Sequence, residues 1–149
     1  MSNYSNHLEQ SKDVVKSGNK LERAALITIY LGVCALSLIV FWFFTSGSDA
    51  MGFSLLFLWL LLPLTTFVIS LLIGRNNHWG KLKWVFPIFF GIMYMLVDYG
   101  TFSVANMIAF DKINMPHFET ILPLAIISFI GLAIGTCINY LKRKSESTS

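Results

Sequence analysis

Asp98 stands inside the apolar run MYMLVDYGTFSVAN (93–106), with no Lys or Arg between Lys83 and Lys112. A carboxyl in that setting has four ways to manage its charge. It can be protonated, meet water from a surface, bind a cation, or pair with a basic group supplied by another chain. The polar residues around and after it, Tyr99, Thr101, Ser103 and Asn106, lead toward Asp111, His117 and Glu119, a pattern suited to an ion or proton path. At about 100° per residue, Gly91, Tyr94, Thr101, Phe102 and Ala105 share the Asp98 stripe of a helix, while Phe89, Met93, Leu96 and Met107 lie opposite. The acid is therefore expected to face protein and the opposite side to face lipid.

Catalysis and metal binding find no support in the residue pattern. His7, His78 and His117 are scattered, and there is no HExxH, CxxC pair, glycine-rich phosphate loop or nucleophile elbow. Asp98 has no charged companion with which to do acid–base work, so no enzyme activity, metal or cofactor is expected. Cys34 and Cys137 lie inside apolar stretches at depths that differ by roughly 10 Å at about 1.5 Å per residue, too far to pair. They read as small packing residues.

The elements that must position Asp98 follow from composition. Of 149 residues, 55% are hydrophobic and only 13% charged, and the mean hydropathy is +0.65, which is the balance of a membrane protein. Four stretches, 24–44, 53–73, 84–110 and 120–141, lack Lys and Arg and are long enough to cross a hydrocarbon core of about 30 Å. The connections are short, so neighbouring helices are expected to be antiparallel. The expected fold is all-α: an integral membrane bundle of four antiparallel transmembrane helices spanning 21–142. Residues 1–20 read as a flexible arm or short surface helix, and 143–149 as a disordered tail.

Ten of the eleven basic residues fall before helix 1, between helices 2 and 3, or after helix 4, leaving Lys112 alone on the other side. Basic residues are retained on the cytoplasmic side, so both termini are expected there, in a plasma membrane such as a bacterial inner membrane. Trp42, Trp79, Trp84 and Tyr140 suit interfacial belts. The net charge of +3 sits in clusters that the topology already requires. Nucleic acid is therefore not expected as a partner, and anionic lipid of the bilayer suffices. The apolar run of helix 1 exceeds the about 7 to 15 residues of a signal peptide and reads as a retained span.

Depth counting places Asp98 about 20 Å from the start of helix 3, and so about 10 Å below the outer surface. Ser37 and Ser128 count to the same level. Pro63 cannot donate a backbone hydrogen bond, which frees the Trp59 carbonyl at a similar depth. One polar layer is expected from Ser37, Trp59, Asp98 and Ser128, with Tyr94 and Thr101 beside it. Thr65 and Thr66 are placed to recapture backbone groups freed by Pro63. Gly131 and Gly135, at i and i+4, form a small-residue face for close helix contact.

Two functional readings follow. The favoured one is a non-enzymatic accessory or partner-binding subunit that works through helix–helix contacts, Asp98 meeting a basic group of another membrane protein. The alternative is a protomer of an oligomeric proton- or cation-coupled transporter or channel that uses Asp98. Helix count is shared with the small multidrug transporters, but those carry their acid in the first helix and helix 1 here has none, so that family is not assigned.

Overall fold

The computed structural model describes residues 2–46 and 48–146, and the side chains of these apart from residues 2–13, 16, 19, 77 and 78. Four helices are long and apolar enough to cross a membrane: α1 (Ser2–Phe44, apolar over Lys20–Phe44), α2 (Ala50–Arg75), α3 (Trp79–Phe110) and α4 (Phe118–Glu146). No strand occurs among the described residues. The α1 helix continues back through the segment read as an arm, which contains no proline to stop propagation from the apolar part. At the other end, α4 includes residues 143–146, and the rest of the expected tail, 147–149, lies outside the described residues.

Local chemistry sets the ends. After α1 the Ser46 hydroxyl bonds the Asp49 carboxylate at 2.7 Å, and the Asp49 N–H returns to the Ser46 carbonyl at 2.8 Å. The α2 helix stops at Asn76, whose backbone is extended. The α3 helix stops at Asp111, in the left-handed region at φ 51°, which Asp tolerates better than most residues because its short side chain bonds locally.

Two helices are locally widened. Residues Ser54–Leu61 of α2 and Tyr99–Ser103 of α3 are π-helical. In α2 the cause is Pro63, which lacks an N–H and presses on the carbonyl four residues back; the Leu62 N–H bonds the Phe57 carbonyl, five residues back. In α3 the buried Thr101 hydroxyl inserts into the ladder, donating to the carbonyls of Val97 at 2.9 Å and Asp98 at 3.1 Å.

The tightest contact joins α2 and α4. A Cβ on Gly131 would lie 2.8 Å from the Phe67 carbonyl oxygen, and one on Gly74 or Gly135 would fall on the carbonyls of Leu132 or Leu71. Small residues thus let the two backbones touch, as expected for Gly131 and Gly135. Contacts between α3 and α4 follow, with Gly91 against Ile121 and Trp84 beside Phe129 at 5.4 Å. The α1 helix lies outside, burying among its described side chains only the stripe Tyr30, Cys34, Ser37 and Phe41. Its contacts include Tyr30 with Phe90 at 4.5 Å, Phe41 with Phe102 at 5.3 Å and Phe53 at 5.1 Å, and a hydrogen bond from Trp42 Nε1 to the Gly100 carbonyl at 3.0 Å.

Leu, Ile and Phe side chains cover the outward faces, as with Phe43, 80% exposed, and Leu122, 66% exposed, a surface that suits hydrocarbon rather than water. The interfacial reading fits the exposed Trp42, Trp84 and Tyr140. Trp79 departs from it: the ring is buried beneath the Arg23 guanidinium, 5.2 Å away, and meets Phe86 edge-on at 4.8 Å. The expected lipid-facing side of α3 is also only partly lipid-facing. Leu96 is exposed, but Phe89 and Met93 lie partly buried against the core, and Ile27 of α1 shares a groove with Phe89.

Candidate functional site: an acidic groove between helices 2, 3 and 4

Asp98 is half-buried and lines a lateral groove of about 500 Å³ bounded by α2, α3 and α4. The i−4 and i+4 neighbours on α3, Tyr94 and Phe102, flank it, as helix periodicity requires. Trp59 and Pro63 face it from α2 and Thr120 from α4, with Leu58, Leu124 and Ile127 forming apolar wall. Both π-helical segments border this groove: Ser54, Leu58 and Trp59 come from the first and Phe102 from the second. Such widenings inside α-helices concentrate at functional sites.

Among the described residues the Asp98 carboxyl makes no hydrogen bond and no ion pair. Its electrostatic neighbours are the Tyr94 phenol and the His117 imidazole. His117 stands just before α4, where its carbonyl accepts both the N–H of Thr120 at 3.1 Å and the Thr120 hydroxyl at 2.6 Å. That ties the loop carrying His117 to a residue lining the groove. His117 was grouped in the sequence only with the residues near the mouth; its position immediately before an apolar span was the signal available.

The structure brings together Asp98, Tyr94 and Trp59. It does not assemble the single polar layer expected with Ser37 and Ser128. Ser37 is buried, and with Tyr30 against Phe90 and Trp42 bonded to Gly100 it lies near the level of Val97. Its hydroxyl, however, donates to the Val33 carbonyl of its own helix at 2.9 Å. Ser128 lies elsewhere. Its neighbour Phe129 meets Trp84, and from Trp84 to Asp98 the helix advances about 20 Å at 1.5 Å per residue. Depth counting failed because it started every helix at one plane, whereas α4 begins level with Gly91, where Ile121 touches α3.

Ser128 instead shares a buried hydrogen bond of 2.7 Å with Ser70 of α2, a residue sequence reasoning passed over. The signal was present as Thr66, Ser70 and Gly74, small residues at i+4 spacing that match the stripe Ser128, Gly131 and Gly135 on α4. Thr101 is buried, but its hydroxyl serves the backbone of α3 rather than the carboxyl. Of the two threonines after Pro63, Thr65 donates to the Leu61 carbonyl at 2.7 Å, while the buried Thr66 hydroxyl lies near the Tyr30 phenol but makes no well-formed hydrogen bond among the described residues. The two cysteines are free, Cys34 buried and Cys137 exposed.

Chemically, the groove offers one carboxyl, one phenol, the hydroxyl residues Ser54 and Thr120 and the faces of Trp59 and Phe102 in a cleft otherwise lined by Leu, Ile and Pro. That combination attracts a cation through charge and through ring quadrupoles. Among the described residues no group of three His, Cys, Asp or Glu side chains is placed to hold a metal. Comparison with known families, curated proteins and solved structures finds no match for this chain.

Proposed function

We propose that this chain is a four-pass plasma-membrane protein, of the bacterial inner-membrane kind, that serves as a non-enzymatic, partner-binding subunit. Its groove between α2, α3 and α4 is the surface on which it meets another membrane protein. In this reading successive helices alternate in direction and both termini are cytoplasmic. Support comes from contact order: Phe41 meets Phe53 while Glu22 bonds Asn76, and Trp84 meets Phe129 while Lys83 bonds Thr136. Ten of the eleven basic residues then fall on one side.

The observation that carries the reading is the placement of the acid. The centre of the bundle is closed by backbone contact between α2 and α4 at Gly74, Gly131 and Gly135, so one chain encloses no path there. The carboxyl, without a hydrogen bond or ion pair among the described residues, lines a lateral cleft that a neighbouring helix can cover. A photoreactive phenylalanine analogue at Trp59 or Ile127, in cells, is expected to yield one discrete protein adduct that Asp98→Asn abolishes. The same probe at the outward-facing Phe43 is expected to yield only lipid adducts. Adducts equal at all three positions, or none at the groove, would refute partner binding there.

One observation favours a second reading, a protomer of an oligomeric proton- or cation-coupled transporter: His117 is bonded through its carbonyl to Thr120, which lines the groove with Asp98, and a carboxyl with an imidazole nearby is an arrangement suited to passing protons. In liposomes, pH-driven cation uptake that Asp98→Asn eliminates would establish this reading over the first. No flux in either form leaves partner binding as the function.

A further inference from the structure

We propose that the groove receives a transmembrane segment of a different protein, bearing one lysine or arginine at the depth of Asp98, about 18 Å from the end of α3 at Phe110, with its basic nitrogen on the Asp98 carboxyl. This rests on the partner-binding reading and adds the partner's chemistry. The carboxyl has no hydrogen bond or ion pair among the described residues; Tyr94 beside it is no cation, and His117 lies beyond ion-pair distance. Hydrocarbon does not solvate an anion, so a positive group arriving laterally through lipid completes the site.

A second copy of this chain is a poor source of that group. Residues 24–74, 84–111 and 113–141 contain no Lys or Arg; Lys112, the base on the Asp98 side, follows the end of α3 at Phe110, about 18 Å along the helix from Asp98 and beyond the reach of a lysine side chain; and Lys83, at the far end of α3 from Asp98, is already engaged, donating to Thr136 at 3.0 Å and lying 5.8 Å from the Trp84 ring. The partner is therefore a different chain. The groove also suits a long basic side chain. Trp59, 75% exposed, stands across from Tyr94 and Phe102, so the aliphatic stem can lie against rings while the nitrogen reaches the carboxyl. The widened turns of α2 and α3 border this place on two sides.

The test uses the full-length protein in nanodiscs of zwitterionic lipid and a leucine–alanine transmembrane peptide of about 24 residues, both labelled for energy transfer. One peptide carries a lysine at the stated depth and the control carries norleucine there. The lysine peptide is expected to associate about tenfold more tightly than the control. The difference is expected to vanish with Asp98→Asn, whose circular dichroism and elution volume match wild type.

Equal association of both peptides overturns recognition by charge while leaving a helix-binding groove in place, and association of neither overturns the inference, the cross-links above then judging the partner reading separately. Asp98-dependent transfer between two copies of this protein would overturn the inference in favour of a homo-oligomer. Asp98-dependent binding of tetraphenylphosphonium without binding of the lysine peptide would overturn it in favour of a free cation and the transporter reading.

Discussion

A structural role and a recognition role for Asp98 differ in what its removal costs. An interhelical hydrogen bond in a membrane protein contributes about 0.6 to 2 kcal/mol, but this carboxyl makes none among the described residues. Asp98→Asn is therefore expected to change unfolding free energy by less than about 0.5 kcal/mol, measured by steric trapping in bicelles; a loss above about 1 kcal/mol would assign the acid a structural role. The residues that do hold helices together are smaller. Ser70 and Ser128 share a buried bond, and a double-mutant cycle to alanine is expected to give a coupling of about 0.6 to 1.7 kcal/mol. Gly135→Val places a branched side chain against the Leu71 carbonyl and Arg75 backbone, and is expected to cost at least about 1–3 kcal/mol, the usual range for overpacking. Unaltered stability of that variant would show that α2 and α4 are not in contact there. The small stripe on α4 was legible in the sequence as Gly131 and Gly135. Its counterpart on α2 was not read, because Thr66, Ser70 and Gly74 are three different residue types among apolar neighbours.

Each helix was legible as a hydrophobic length, a property of one segment read by itself, and each observed apolar helix contains its expected stretch and runs up to five residues beyond it. Register between helices is a property of pairs, and one sequence does not specify where each segment begins relative to the next. That is why Ser37 came out level with Asp98 while Ser128 came out about 20 Å away. Irregularity inside a helix had one visible cause, Pro63, and one hidden, the Thr101 hydroxyl. Pro63→Ala gives α2 an N–H for the carbonyl four residues back and is expected to close its π-helical turn, rotating the preceding segment by about 100°. Trp59 then leaves the groove. The photo-adduct from position 59 is expected to disappear while that from position 127 on α4 persists; loss of both would mean that the substitution damaged the bundle and not one turn.

At the scale of the molecule, α4 packs against both α2 and α3 while α1 rests against the other helices through a single stripe, so in the proposed reading lateral surface rather than an internal path is what the protein offers to other molecules. Topology fixes which solvent each end of that surface meets. With Cys34 and Cys137 replaced by alanine, a cysteine at Ile113 is expected to react with an impermeant maleimide in intact cells and one at Leu82 only after permeabilisation; the reverse pattern would invert the orientation. The central claim is that the acid on this surface reads charge on a neighbouring helix, and reversing both charges tests it most directly. Asp98→Lys in the protein is expected to abolish association with the lysine peptide and to restore it, to within about threefold of the original affinity, with a peptide carrying aspartate at the same depth. Failure of the reversed pair to associate, while the reversed protein remains folded and inserted, would contradict the account.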